Sequence, residues 1–242
     1  MKYAIIAAGE GSRLAHEGIA IPKPLVEIKG EALVDRLLKI FMLNDASEIV
    51  VICNDHTNLV SKHLLDIQQH GLDGHSVPLR IVVKSTPSSM HSLMEMSEYL
   101  SDEPFVLTTV DTVFQPKTFS QYVSSFSEVL NKGYDGLMGV TDFVDDEKPL
   151  FVATNEKNEI TGFFDVAQSG IRYISGGIYG LTPKAIDVLK ACVERGESRM
   201  RDFQRALVGA GLRLKAFPFG KILDIDHASD IDKALCFLAE DK

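Results

Sequence analysis

Residues 2–25 read KYAIIAAGEGSRLAHEGIAIPKPL. The opening run from Tyr3 to Ala7 is short, apolar and unbroken, the pattern of a strand buried on both faces of a parallel sheet. Gly9 and Gly11 follow, and no convincing helix begins before residue 32. The connection over 9–31 is long for a compact domain, and connections of that length are usually functional or disordered. Its composition favours function. Gly9 and Gly11 let backbone N–H groups approach a ligand without a β-carbon in the way, Arg13 offers a planar fork suited to phosphate oxygens, and Lys23 adds a second cation. Two familiar phosphate motifs fail here. Leu14 stands where a dinucleotide fingerprint needs its third glycine, and no GK[ST] follows Gly9 at P-loop spacing. Pro22 and Pro24 would also interrupt a long helix springing from the glycines. The strand therefore feeds a loop that wraps its ligand.

Outward from this stretch, apolar runs at 48–53, 79–83, 105–110 and 136–140 repeat the buried-strand pattern. Apolar residues at helical spacing fall between them at 32–43, 56–69, 90–100 and 118–130. Such alternation predicts a parallel sheet with helices on both faces. Beyond residue 148 the pattern turns mixed. Strand-like pieces at 150–154, 159–164 and 171–181 precede helical stretches at 183–194 and 199–209, then strands at 212–217 and 222–225 and a closing helix at 228–239. No internal repeat or linker divides the 242 residues, so a single domain over 1–242 is expected.

A net charge of −9 argues against a general nucleic-acid surface, which would show as a Lys and Arg excess. The longest charge run, 142–148, is acidic and reads as a solvated loop. The first apolar run is too short for a signal-peptide core or a membrane span. Cys53, Cys192 and Cys236 are far apart, lack metal-type spacing and fit a reducing compartment as core residues. A cytoplasmic protein that binds neither membrane nor nucleic acid is the expectation, with a homo-oligomer left open.

Carboxylates supply the next signal. The run 105–110 ends in Asp111, where an open α/β sheet presents its ligand-binding edge. Near the other end, Asp224 and Asp226 flank Ile225 on a short predicted strand, whose alternation puts both on one face. Magnesium takes one or two such hard oxygen ligands and fills its octahedron with water and phosphate oxygens. Asp230 and Asp232 read instead as first-turn helix charges. His56, His63 and His70 recur every seven residues along a predicted helix, about 10.5 Å apart, too far to share one ion. Met90, Met94 and Met96 read as core or pocket lining.

AAGEGSRL at the end of the first strand, followed by PKPL and Gly30, resembles the nucleotidyltransferase family that includes the sugar-nucleotide pyrophosphorylases. VLTTVDTVF around Asp111 and KILDIDHASDIDKA around Asp224 and Asp226 resemble that family's two metal segments, although the family's commoner form has glycine where Val110 stands. The resemblance implies a three-layer α/β nucleotide-binding fold with a mixed, mostly parallel sheet. It implies a nucleoside triphosphate held by Ala7, Ala8, Gly9, Gly11 and Ser12, with Arg13 and Lys23 on the triphosphate. It also implies Mg²⁺, or Mn²⁺ in its place, held by Asp111 with Asp226 ranked ahead of Asp224, and a small phosphorylated acceptor, a sugar 1-phosphate first. TPSSMHSLMEM at 86–96 resembles the segment closing over the base, so Ser88 and Ser89 either bond a base edge or cap the helix that follows. Gly139, and Gly177 within SGGIYGLTP, resemble positions that lay the acceptor against backbone. Asp165 stands where the sugar enzymes carry a Glu-Lys-Pro element and replaces only its Glu. Arg172, Arg199 or Arg201 is then a candidate for the lost positive charge. The serine-leucine segment is also reminiscent of phosphocholine cytidylyltransferase-like members, so a phospho-alcohol acceptor is the runner-up, and a non-catalytic sensing or assembly subunit the third reading. The family's additional β-helix has no counterpart in the sequence, which gives the expectation of a single activity.

Overall fold

The computed structural model of the protein describes residues 1–144 and 148–239. Its first half runs β1 (Lys2–Ala7), α1 (Ser12–His16), β2 (Glu27–Ile28), β3 (Glu31–Ala32), α2 (Leu33–Met42), β4 (Glu48–Cys53), α3 (Asn58–His70), β5 (Leu79–Val83), α4 (Ser89–Met96), β6 (Phe105–Thr109), β7 (Thr112–Val113) and α5 (Pro116–Asn131). There follow β8 (Gly136–Thr141), β9 (Phe151–Thr154), β10 (Ile160–Phe164), β11 (Tyr173–Leu181), α6 (Lys184–Glu194), α7 (Met200–Gly209), β12 (Leu214–Pro218), β13 (Leu223–Asp224) and α8 (Ala228–Phe237).

Strand alternation sorts β1 between two cores. Tyr3, Ile5 and Ala7 pack with α2, α3, α5 and α8, while Ala4 and Ile6 pack with α4, α6 and α7, so the sheet is the middle of three layers. The helices bury faces that their spacing announces: Leu33, Val34, Leu37, Leu38 and Phe41 on α2, and Phe119, Tyr122, Phe126 and Val129 on α5. Tyr3 stacks on Phe41 with ring centroids 4.5 Å apart, joining strand to helix at the centre of one core.

The sheet is mixed. Its main path is β10-β9-β11-β6-β1-β4-β5, with β8 paired to β11 and β12 to β8. β6, β1, β4 and β5 form a continuous parallel block, and β11 runs antiparallel to β6 and β8. From β1 the chain moves outward through β4 to β5, then returns to lay β6 on the other side of β1. The order reverses between β1 and β6, and an open α/β sheet leaves a crevice beyond the carboxyl ends of the strands at such a point. Ala7 and Thr109 end those two strands.

Some expectations need correction. The long first connection is not continuous loop. It contains the one-turn helix α1, started from Gly11 at φ 63° and anchored by buried Leu14, then a 3₁₀ turn over Lys23–Leu25 and the hairpin of β2 and β3. Lys29 and Gly30 turn that hairpin with positive φ at both positions, the geometry a two-residue hairpin requires. His56 lies outside α3, which begins at Asn58 with Thr57 as its cap, so only His63 and His70 share that helix; His63 pairs with Asp35 at 2.6 Å. Cys53 and Cys192 are buried, but Cys236 is exposed, because it lies on the solvent side of α8. The strand expected at 222–225 is only Leu223–Asp224, so it ends before Asp226. Of the acidic run 142–148, residues 145–147 lie outside the described residues, while Asp142 pairs with Arg172 at 2.7 Å.

Candidate functional site

Lys23 stands at the centre of the site. The 3₁₀ turn that carries it closes with Leu25 N–H donating to the Pro22 carbonyl, and Pro22 and Pro24 fix the backbone on either side. Its Nζ donates to Asp111 Oδ2 at 2.7 Å and to Asp226 Oδ1 at 2.8 Å. Burial alone would lower the lysine pKa, but the two carboxylates more than offset it and hold the ammonium above its usual value. Arg13 reaches the other oxygen of Asp226, with Nη1 3.1 Å from Oδ2. Two cations from the first loop thus meet carboxylates from β6–β7 and from the turn before α8.

The pairing of β7 with β13 produces that meeting. Leu223 pairs with Val113 and Asp224 with Thr112, and Ile225 N–H donates to the Asp111 carbonyl at 3.0 Å. The short ribbon lays 224–226 beside Asp111, a step that the sequence of neither segment announces. Among the described residues no group of three or more His, Cys, Asp or Glu side chains gathers as a metal centre. Asp111 and Asp226 nevertheless converge on a single ammonium, and these hard oxygen donors are of the kind that magnesium takes one or two of. Asp224 is exposed and outside the Lys23 pair.

Two clefts flank this ion cluster. The first, about 470 Å³, is lined by Ala8, Gly9, Gly11, Thr86, Ser88, Ser89 and Asp111, with Lys23 at its edge. It occupies the crevice between β1 and β6. Asn54 donates to the carbonyls of Ala8 and Gly9, both at 3.3 Å, and ties the turn to the end of β4. Ser88 caps α4, accepting from His91 N–H at 3.4 Å, and also lines the cleft. The second cleft, about 360 Å³, is lined by Arg13, Thr141, Lys148, Gly176, Asp224, Asp226 and Lys233 among others. The Lys23 bridge joins the two, since Asp111 belongs to one and Asp226 to the other.

Not every sequence candidate reaches a cleft wall. Ala7 is buried in β1, and Ser12 opens α1 without being part of either lining. Gly139 is a packing glycine, where a β-carbon would come within 2.9 Å of Ile178 and 3.0 Å of Phe219. Gly177 adopts φ 72° in the irregular stretch of β11, and a β-carbon there would lie 3.0 Å from Thr112 Oγ1. Asp165 is engaged by Arg201 and by Arg205, the latter at 2.6 Å, and lines neither cleft. Arg201 also donates to the Lys148 carbonyl at 3.0 Å, so it braces the loop that presents Lys148. Arg199 is the cap residue of α7.

Sequence reasoning passed over Lys148 and Lys233, the further cations of the second cleft. Lys148 belongs to the triplet Glu-Lys-Pro at 147–149 and ends the run 142–148 read as a solvated acidic loop. Glu17 and His227, which meet at 2.6 Å, were missed as well, and no local pattern links residues 210 apart.

The family model described as nucleotidyl transferase matches residues 2–240. The bifunctional protein GlmU of Trichodesmium erythraeum is 29% identical over 133 residues, covering 53% of this chain and 27% of that protein. A glucose-1-phosphate cytidylyltransferase of Salmonella typhimurium is 26% identical over 131 residues, covering 47% of this chain and 51% of that protein. The matches thus span about a quarter and about half of these relatives. The solved structure of the inositol-1-phosphate CTP transferase from T. maritima superposes with a TM-score of 0.78 at 23% identity, covering 99% of this chain and 96% of that one, which shows a shared fold.

Proposed function

The chain belongs to the nucleotidyl transferase family, and from that premise we propose that it transfers a nucleotidyl group from a nucleoside triphosphate to a sugar 1-phosphate, releasing pyrophosphate. The observation that carries the reading is the position of Lys23, Asp111, Asp226 and Arg13 at the junction of two clefts. Group transfer between two ligands needs charge stabilisation where they meet. The crevice between β1 and β6 takes the nucleotide, with Ala8, Gly9 and Gly11 against it and Ser88 and Ser89 near the base. The second cleft takes the acceptor, with Lys148 and Lys233 offering positive charge to its phosphate.

In this reading an acceptor phosphate oxygen attacks the α-phosphorus in line. The bond from the α-phosphorus to the oxygen bridging to the β-phosphorus breaks, and pyrophosphate leaves with the electron pair. Repulsion between the two anions is the main barrier, and Arg13 and Lys23 lower it by turning from Asp226 and Asp111 toward phosphate oxygens. Asp111 and Asp226, with Asp224 beside them, would hold Mg²⁺ or Mn²⁺, which supplies further charge neutralisation. No protein nucleophile is required. The same reading treats residues 1–242 as one domain working in the cytoplasm. No described helix is long and apolar enough to cross a membrane.

The lining of the second cleft favours a hydroxylated acceptor over phosphocholine. Phe143 is its single aromatic residue among those described, and Lys221 Nζ already sits 4.9 Å from that ring. A quaternary ammonium is recognised by aromatic faces, and one occupied ring makes no cage. The test is a panel of CTP, UTP, TTP, ATP and GTP against glucose 1-phosphate, inositol 1-phosphate and phosphocholine, reading pyrophosphate release with magnesium. Release with glucose 1-phosphate supports the proposal. Folded protein that releases pyrophosphate with no pair contradicts it.

A further inference from the structure

One contact between the first loop and the start of α8 is left unused by the proposed chemistry. Glu17, the residue that ends α1, spends both carboxylate oxygens on a single distant segment: Oε1 lies 2.6 Å from His227 Nδ1, and Oε2 accepts from Ala228 N–H at 2.6 Å. A carboxylate only accepts, so Nδ1 carries the proton in this pair. Ala228 is the first residue of α8, and its N–H has no partner within the helix, so Glu17 serves as a cap supplied from 211 residues away. From the inner side, Asp230 Oδ2 accepts from the N–H groups of Asp226 at 3.1 Å and His227 at 2.8 Å. Residues 226–228 are therefore gripped from both sides, by their own helix and by the loop.

Arg13 stands one turn before Glu17, whose N–H donates to the Arg13 carbonyl at 3.2 Å. Its contact with Asp226 runs beside the Glu17 contact to His227 and Ala228. The two contacts differ in what a triphosphate would do to them. Arg13 and Lys23 sit in the path of the ligand and must exchange Asp226 for phosphate oxygens, whereas Glu17 lines neither cleft and its partner His227 lines only the second, away from the triphosphate. Buried Leu14 anchors α1 to the core, and Glu17 is the polar tether that still ties the loop to the start of α8 once Arg13 is freed.

We infer that Glu17 and His227 form a positioning clamp that keeps the Arg13 loop docked on the Asp226 segment while Arg13 and Lys23 change partners from carboxylate to triphosphate. The inference rests on the proposed function for its kinetic part and on geometry for the clamp itself. Its structural part is read by trypsin, which cleaves after Arg13 only when the loop lifts, because Leu14 on the far side of that bond is buried. Its kinetic part is read with magnesium, CTP or UTP, and glucose 1-phosphate.

Glu17→Ala should speed release of the fragment 1–13 about tenfold with the melting temperature close to wild type, and raise the triphosphate KM about tenfold while leaving the glucose 1-phosphate KM within about twofold. Glu17→Gln, which keeps an acceptor for Ala228 N–H, should fall between. In an Arg13→Ala background, adding Glu17→Ala should cost less than about threefold, since the clamp then has no arginine to place. A fragment 1–13 released as slowly from Glu17→Ala as from wild type overturns the clamp. So does an unchanged triphosphate KM in an active enzyme, or full additivity with Arg13→Ala. If wild type turns over no triphosphate, the proposed function fails, and proteolysis alone decides the clamp.

Discussion

Lys23 and Asp226 lie 203 residues apart in sequence, and their side chains meet at 2.8 Å. The same ammonium holds Asp111 at 2.7 Å, so one lysine spans the boundary between the two clefts. Removing it leaves two facing carboxylates without their shared cation. Lys23→Ala should reduce turnover on the order of 10²-fold, the usual scale for loss of one preorganised charge. Arg13→Ala should act similarly, and Arg13→Lys should recover part, keeping the charge without the bidentate fork. Steady-state kinetics beside melting curves checks this. Turnover of the folded fraction that matches wild type would leave both residues a purely structural role.

Asp111→Ala should abolish most turnover while leaving a folded protein, because Asp111 is held by Lys23 and by the β7–β13 ribbon rather than by the apolar core. In the proposed reaction Asp111 is a metal ligand, and its loss would remove several kcal/mol of charge stabilisation, about 10²-fold or more in rate. Asp226→Ala should match it, and Asp224→Ala should be milder, since Asp224 is exposed whereas Asp111 and Asp226 close on Lys23. Excess chelator should silence wild type, and magnesium or manganese should restore it. Full pyrophosphate release in chelator would count against the cation altogether.

Gly177→Ala should destabilise the protein by about 1–2 kcal/mol, because a β-carbon is disfavoured at φ 72° and would meet Thr112 Oγ1 at 3.0 Å. Denaturant unfolding followed by circular dichroism measures it. An unchanged midpoint would show that β11 relaxes at this point without cost.

Asp135 gives the fold a defined acid sensitivity. Burial alone would raise its pKa, but Lys184 Nζ at 2.8 Å and Arg213 N–H at 2.9 Å overcome that and hold the carboxyl below its usual value. A carboxylate with a depressed folded pKa stabilises the fold above its unfolded pKa, about 3.9, and loses that contribution as pH falls through the folded value. Asp135→Asn should therefore melt lower than wild type at pH 7, with the gap narrowing progressively below about pH 4. Melting curves from pH 7 to pH 3 decide it, and a constant gap would assign the difference to packing alone.

The alternation of buried strand and amphipathic helix through residue 140 was legible because each element announces its own period. β1, β4, β5 and β6 and helices α2 to α5 all fall within a few residues of their patterns. A predicted strand at 222–225 was only partly right, since two residues pair with β7 and Asp226 is placed by the turn and by Asp230. The expectation for Asp165 rested on its place in a pattern, and its partners turned out to be Arg201 and Arg205.

By itself the sequence determined the layered α/β class, the glycine-rich loop after β1 and the residue types of the charge cluster, because these follow from local periodicity and from side-chain chemistry. Only the tertiary structure decided that the order of strands reverses between β1 and β6, that β13 lies on β7, and that Lys23 stands between Asp111 and Asp226. It also decided that Glu17 caps α8. Those pairings join segments about 90 to 210 residues apart, and distance in space between such segments is set by how the sheet folds back on itself rather than by any pattern within either one.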